Sequence, residues 1–161
     1  MLQAGETAPT FTASVATTAG ELEAFDLSEW FDDAPLVVAF FPAAFSSTCT
    51  DELASIQSDG DRFAGAGGTV LGVSTDLPWA LREFADTEGL QFPLVADHDR
   101  EGITAFDVVD SFPELGLERV AQRSVFVVDE SRTITYAWAA DHPGQEPPYE
   151  DVLAATRGAE H

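Results

Sequence analysis

Cys49 is the only cysteine in a chain of 161 residues, so any thiol chemistry here begins at one sulfur. An intramolecular disulfide, a redox CxxC pair and a thiolate zinc cluster within one chain all need a second cysteine and are excluded. Counting onward from Cys49, the small or apolar residues Leu53, Ile56, Gly60 and Phe63 follow at offsets of 4, 7, 11 and 14. That spacing is one face of a helix, and it puts Cys49 at the N-terminal end of a buried stripe. A helix N-terminus offers partial positive charge and unpaired backbone N–H groups, which draw a cysteine pKa from ~8.5 into a range of ~3.5 to 7.5. The chemistry this permits is nucleophilic attack by a thiolate. Without further support a lone buried cysteine is more often a small core residue.

The elements that must hold Cys49 can be read on either side of it. Leu36 to Phe41 is a continuous apolar run rich in valine and phenylalanine, which fits a central strand buried on both faces. Val70 to Ser74 and Ser124 to Asp129 read the same way, and Thr133 to Trp138 adds an alternating strand. Residues 11 to 26 alternate weakly around a turn at Ala19-Gly20, the pattern of an N-terminal hairpin. Pro78, followed by Leu81, Phe84 and Ala85 and closed by Gly89, marks a second helix. A third covers Glu101 to Phe106, and PYEDVLAAT near the end forms a fourth. Strands alternating with helices predict an α/β fold, a sheet covered on both faces, with chemistry at the tip where a central strand hands over to a helix. No repeat or long linker interrupts residues 1–161, which read as one domain.

Composition narrows the function. With 29 acidic and 7 basic residues the net charge is −22, and every basic residue is arginine. Such a surface repels phosphate backbones and anionic headgroups, so neither nucleic acid nor a membrane is an expected partner. The longest apolar run, Ala34 to Phe45, has twelve residues and two prolines, against the ~20 that a spanning helix needs. The N-terminal MLQAGETAPTF has no basic region and no apolar stretch before its first acid, so a cytoplasmic location is expected. The acid excess points to a salt-rich, halophilic cytoplasm, because at ~1 M salt the Debye length of ~3 Å screens the self-repulsion. His98, His142 and His161 lack metal-ligand spacing, and no metal or bound cofactor is expected.

The stretch FFPAAFSSTCTDEL, residues 40 to 53, joins the central strand to the first helix with Pro42, Ser46 and Cys49 spaced as PxxxSxxC. It resembles the signature of the peroxiredoxins, cysteine peroxidases with a thioredoxin-like fold. The resemblance extends through GETAPTFT, VSTDLPWALREFA, FPLVADHDREGITAFDV and QRSVFVVDE, nearly the whole chain. The form FFPxAFxxxCxxEL is most similar to the one-cysteine alkyl hydroperoxide reductase E and bacterioferritin-comigratory-protein group. Where internally resolving members of that group carry a second cysteine five residues after the first, this chain has Ala54. The resemblance implies an antioxidant enzyme that reduces hydrogen peroxide and organic hydroperoxides through a cysteine sulfenic acid. It also implies an external thiol or redoxin-type reductant, no bound cofactor, and a homodimer formed near the active-site loops. By the same resemblance, Ser46 holds the peroxide, Pro42 shields the sulfur and Arg123 supplies the cation. Arg119, four residues earlier, competes for that last role but does not directly precede the strand. Glu52 would raise the thiol pKa if left unpaired, so an arginine is expected to neutralise it.

A magnitude shows why ionisation of a thiol is not the whole mechanism. Lowering a thiol pKa from ~8.5 to ~6 raises the thiolate fraction at pH 7 about thirtyfold, while a Brønsted slope of ~0.4 to 0.5 takes back roughly tenfold in nucleophilicity. Large acceleration must come from orienting the peroxide and donating hydrogen bonds to the departing oxygen. Two rivals remain open at this point. A cysteine hydrolase needs a histidine beside the sulfur, and an idle thioredoxin-like binding module would have an occluded Cys49 with no arginine near it. Trp79 and Trp138 read as core or interface aromatics.

Overall fold

The computed structural model describes residues 1–159. Its frame is a seven-stranded mixed sheet built from β1 (Thr12–Ala16), β2 (Leu22–Asp26), β3 (Leu36–Phe40), β4 (Thr69–Ser74), β5 (Leu94–Ala96), β8 (Ser124–Val128) and β9 (Ile134–Ala139). A separate two-stranded hairpin comprises β6 (Val109–Phe112) and β7 (Leu117–Ala121). The helices are α1 (Ser47–Ser58), α2 (Gly60–Gly65), α3 (Pro78–Glu88), α4 (Glu101–Ala105) and α5 (Tyr149–Gly158). The large sheet runs in the order β2-β1-β5-β4-β3-β8-β9, with β3, β4 and β5 parallel and the other pairings antiparallel. This is the expected α/β class with its N-terminal hairpin. No described helix is long and apolar enough to cross a membrane.

The β3 run is apolar throughout because both its faces are covered. Val37 and Ala39, with Phe41 just beyond the strand, enter one core beside Leu53, Phe63 and Leu153; Leu36, Val38 and Phe40 enter the other beside Ile103 and Phe106. Leu53 and Ile56 anchor α1 in the first core. Burial of two such side chains contributes about 3–6 kcal/mol, more than helix propensity supplies over the same turns. Core contact therefore sets the orientation of α1, and with it the position of Cys49.

The predicted helix after Cys49 is divided. Asp59 ends α1 and Gly60 opens α2, so the stripe from Leu53 to Phe63 is carried by two helices that bury into one core. Gly60 lacks a side chain to pack and costs the helix interior up to about 1 kcal/mol, which suits it to the break. The second predicted helix ends as read, with Gly89 at φ 65°, a conformation that glycine adopts without penalty. Trp79 is 61% exposed, on the solvent side of α3, so of its two readings the core is excluded and an interface aromatic is left. Trp138 packs against the first core. The strand β5 and the β6–β7 hairpin had no reading in the sequence, being short and without clear alternation.

Candidate active site

Adjacent strands β3 and β8 bring the site together. β3 ends at Phe40, Pro42 follows it, and Ser46 precedes α1 in extended conformation (φ −73°, ψ 150°). Cys49 therefore lies in the first turn of α1, which contains no acidic residue to oppose the positive end of the helix. β8 pairs antiparallel with β3, matching Ser124 with Phe40, so Arg123 emerges at the same end of the sheet as the Cys49 helix. The positions far apart in sequence meet there: Arg123 Nη2 donates to Cys49 Sγ at 3.1 Å. Cys49 is fully buried and Arg123 is 2% exposed.

Three groups fix the guanidinium. Nη1 donates to Glu52 Oε2, and Nε and Nη2 donate to the Pro143 carbonyl at 3.3 and 3.0 Å. These contacts and the sulfur occupy four of the five guanidinium N–H groups. The fifth, on Nη1, has no acceptor among the described residues. Burial works against the Arg123 charge, yet Glu52 and Cys49 outweigh it and hold its proton more firmly than usual. Arg119 is elsewhere: its guanidinium donates to Thr104 Oγ1 at 3.2 Å and it is exposed.

Glu52 meets the arginine expected for it, but its second oxygen, Oε1, is buried without a partner among the described residues. Burial pushes its carboxyl up to about 7, against the pull of Arg123, and nearby Glu146 adds to the rise. Because the folded state holds this proton above the ordinary carboxylate range, native protein binds more protons than unfolded protein between about pH 4.5 and 7. Stability therefore falls as pH rises through that window. Glu52→Gln removes the titration, so the stability of the wild type relative to this variant is expected to decline from pH 5 to 7.5 in urea unfolding. A difference that stays flat with pH would contradict the raised carboxyl.

Pro42 is buried and Ser46 is exposed, on the turn that leads into α1. The Ser46 hydroxyl donates to the Ala43 carbonyl at 2.9 Å, which leaves its oxygen lone pairs free to accept. Ala44 N–H in the same turn donates to Asp76 Oδ2 at 2.8 Å. Neither Asp76 nor the Pro143 carbonyl was found by reading residue types. Asp76 lies within VSTDLPWALREFA, whose signal was an acid just after a buried strand; a backbone carbonyl leaves no signal of that kind. Among the described residues, no histidine hydrogen-bonds the sulfur, as a hydrolase would require; His161 lies outside them. Of the two marks of an idle module, Cys49 is buried as such a module would have it, but Arg123 lies against its sulfur as such a module would not. No group of three or more His, Cys, Asp or Glu suited to a metal occurs among the described residues.

The AhpC/TSA family matches residues 4–137. A putative peroxiredoxin from Mycobacterium tuberculosis is 38% identical over 105 residues, 63% of this chain and 66% of that protein. A thiol peroxidase from the same organism is 31% identical over 153 residues, 94% of this chain and 86% of that protein. Among solved structures, peroxidoxin BcpB from Mycobacterium tuberculosis is similar with a TM-score of 0.83 and 25% identity, covering 98% of each chain. Peroxiredoxin Q from Xanthomonas campestris gives a TM-score of 0.77 at 26% identity, covering 94% of this chain and 92% of the other.

Proposed function

The chain belongs to the AhpC/TSA family of peroxiredoxins, with their thioredoxin-like fold, and on that premise we propose that it is a thiol-dependent peroxidase with Cys49 as its nucleophile. The observation that carries the assignment of the site is the contact between Arg123 Nη2 and Cys49 Sγ. The Cys49 thiolate attacks one oxygen of hydrogen peroxide or an organic hydroperoxide. The S–O bond forms as the O–O bond breaks, Cys49 becomes a sulfenic acid, and the departing oxygen takes up from solvent a proton equivalent to the one the thiol released on ionising, so that it leaves as water or alcohol. Arg123 stabilises the thiolate and directs its remaining N–H toward peroxide oxygen, Ser46 accepts the peroxide O–H, and Pro42 shields the sulfur. Arginine suits both tasks because it stays charged and its donors form a rigid fork.

The chain carries no second cysteine, so an external thiol, small or on a redoxin-type protein, attacks the sulfenic sulfur and releases water. A second thiol then frees Cys49 from the mixed disulfide. The cycle needs no metal or prosthetic group. Residues 1–161 act as one domain, and a homodimer forms over the half-exposed Phe45, Leu77 and Trp79 near the active-site turn. We place the enzyme in a salt-rich cytoplasm. Of its seven arginines only Arg62 and Arg123 form ion pairs among the described residues, so most of the surface acids are balanced by solvent cations. Its melting temperature is accordingly expected to rise between dilute and molar potassium chloride.

The test of function is stoichiometry. Reduced protein is expected to consume one equivalent of hydrogen peroxide per chain, and to turn over many times once dithiothreitol is present. Consumption no faster than in protein-free buffer would overturn the reading.

A further inference from the structure

We propose that Asp76, seated on Ser74, is a positioning residue for peroxide binding: it holds the Ala43–Phe45 turn so that Ser46 keeps its accepting geometry. The inference rests on the peroxidase reading and extends it to residues outside the PxxxSxxC stretch. Between Pro42 and Ser46 the chain has two alanines, whose side chains form no polar hold, and Phe45, which stands at φ 68°. That backbone costs a residue other than glycine about 1–2 kcal/mol, so neighbouring structure must impose it. Two neighbours do. The Phe45 ring packs edge-on against Phe84 of α3 at 5.0 Å between centroids. Asp76 Oδ2 accepts the Ala44 N–H at 2.8 Å.

Sheet register delivers the carboxylate. β4 runs parallel to β3 with Val73 beside Phe40, so the chain leaving β4 passes the turn leaving β3. Ser74, fully buried at the end of β4, donates its hydroxyl to the same Asp76 Oδ2 at 2.7 Å and accepts the Asp76 N–H at 3.2 Å. The carboxylate is thus fixed from behind by a buried hydroxyl and grips the turn from in front. Through the turn its effect reaches Ser46, whose hydroxyl proton is committed to the Ala43 carbonyl at 2.9 Å. Without that grip the Ala43 carbonyl and the Ser46 oxygen lose their fixed places relative to Cys49, and misplacement of about 1 Å costs on the order of 10²-fold in rate.

The test follows Cys49 oxidation by hydrogen peroxide in stopped flow and, in parallel, alkylation of the same thiol by iodoacetamide, which needs no peroxide pocket. Asp76→Ala is expected to slow oxidation by about 10- to 100-fold and to leave alkylation within about twofold. Asp76→Asn keeps an oxygen that can accept both donors and is expected to retain the rate within about threefold. In a Ser46→Ala background, Asp76→Ala is expected to add no more than about twofold, because both act through one hydroxyl. Ser74→Ala, expected to slow oxidation about three- to tenfold, carries the same test should Asp76→Ala not fold. Unchanged oxidation in these variants, equal loss of oxidation and alkylation, or losses that multiply with Ser46→Ala would overturn the positioning role while leaving the peroxidase reading intact. A wild-type protein inert to peroxide would overturn both.

Discussion

Cys49→Ser is expected to abolish thiol-dependent peroxide consumption, with a loss of at least about 10⁴-fold. A serine hydroxyl has no anionic form near neutral pH and cannot pass through a sulfenic acid, so neither the attack nor its intermediate survives. The fold should tolerate the change. Serine is close to cysteine in size, and Arg123 keeps its partners Glu52 and the Pro143 carbonyl, so the buried cation is not left unpaired. Peroxide consumption with dithiothreitol, measured beside the melting temperature, checks both halves. An active variant would place the chemistry elsewhere; an unfolded one would show that the sulfur, buried in the first core, is needed for packing as well.

Arg123→Met is expected to lower the rate of Cys49 oxidation by about 10² to 10³-fold, the cost of removing a fixed donor at developing oxyanion charge. It also strands the Glu52 carboxylate in a fully buried site, and breaking a buried pair by removing one partner costs about 3–5 kcal/mol of stability. The two effects are separable. Adding Glu52→Gln removes the stranded charge, so the double variant should regain much of the lost melting temperature and none of the lost rate. Arg123→Lys keeps a cation without the fork that joins Glu52, Pro143 and Cys49, and an intermediate rate of about one tenth to one hundredth of wild type is expected. A double variant as fast as the wild type would remove Arg123 from the mechanism.

Much of this frame was legible because it is written in local patterns. The unbroken apolar run of β3, the proline and glycine bounding α3, and the spacing after Cys49 each report burial by a neighbour that the sequence does not name. Arg123 was found through its place before β8, and the sheet register then explains why a residue 74 positions from Cys49 can reach its sulfur. The split at Gly60 was missed because Phe63 buries in the same core on either geometry. Trp79 could be read as core or interface because a large aromatic usually packs against something, and its place on the outer side of α3 excludes only the core. Asp76 and the Pro143 carbonyl were invisible for a different reason. Each acts through the backbone or on it, and such contacts depend on the path of the loops rather than on residue type.

The most direct measurement of the central claim is the mass of the Cys49 peptide after reduced protein meets one equivalent of hydrogen peroxide, with a sulfenic acid trap such as dimedone present. A single dimedone adduct on Cys49, formed within seconds and strongly diminished in Arg123→Met, is the predicted result. A Cys49 peptide of unchanged mass after minutes, or an adduct that forms equally fast without Arg123, would contradict the account.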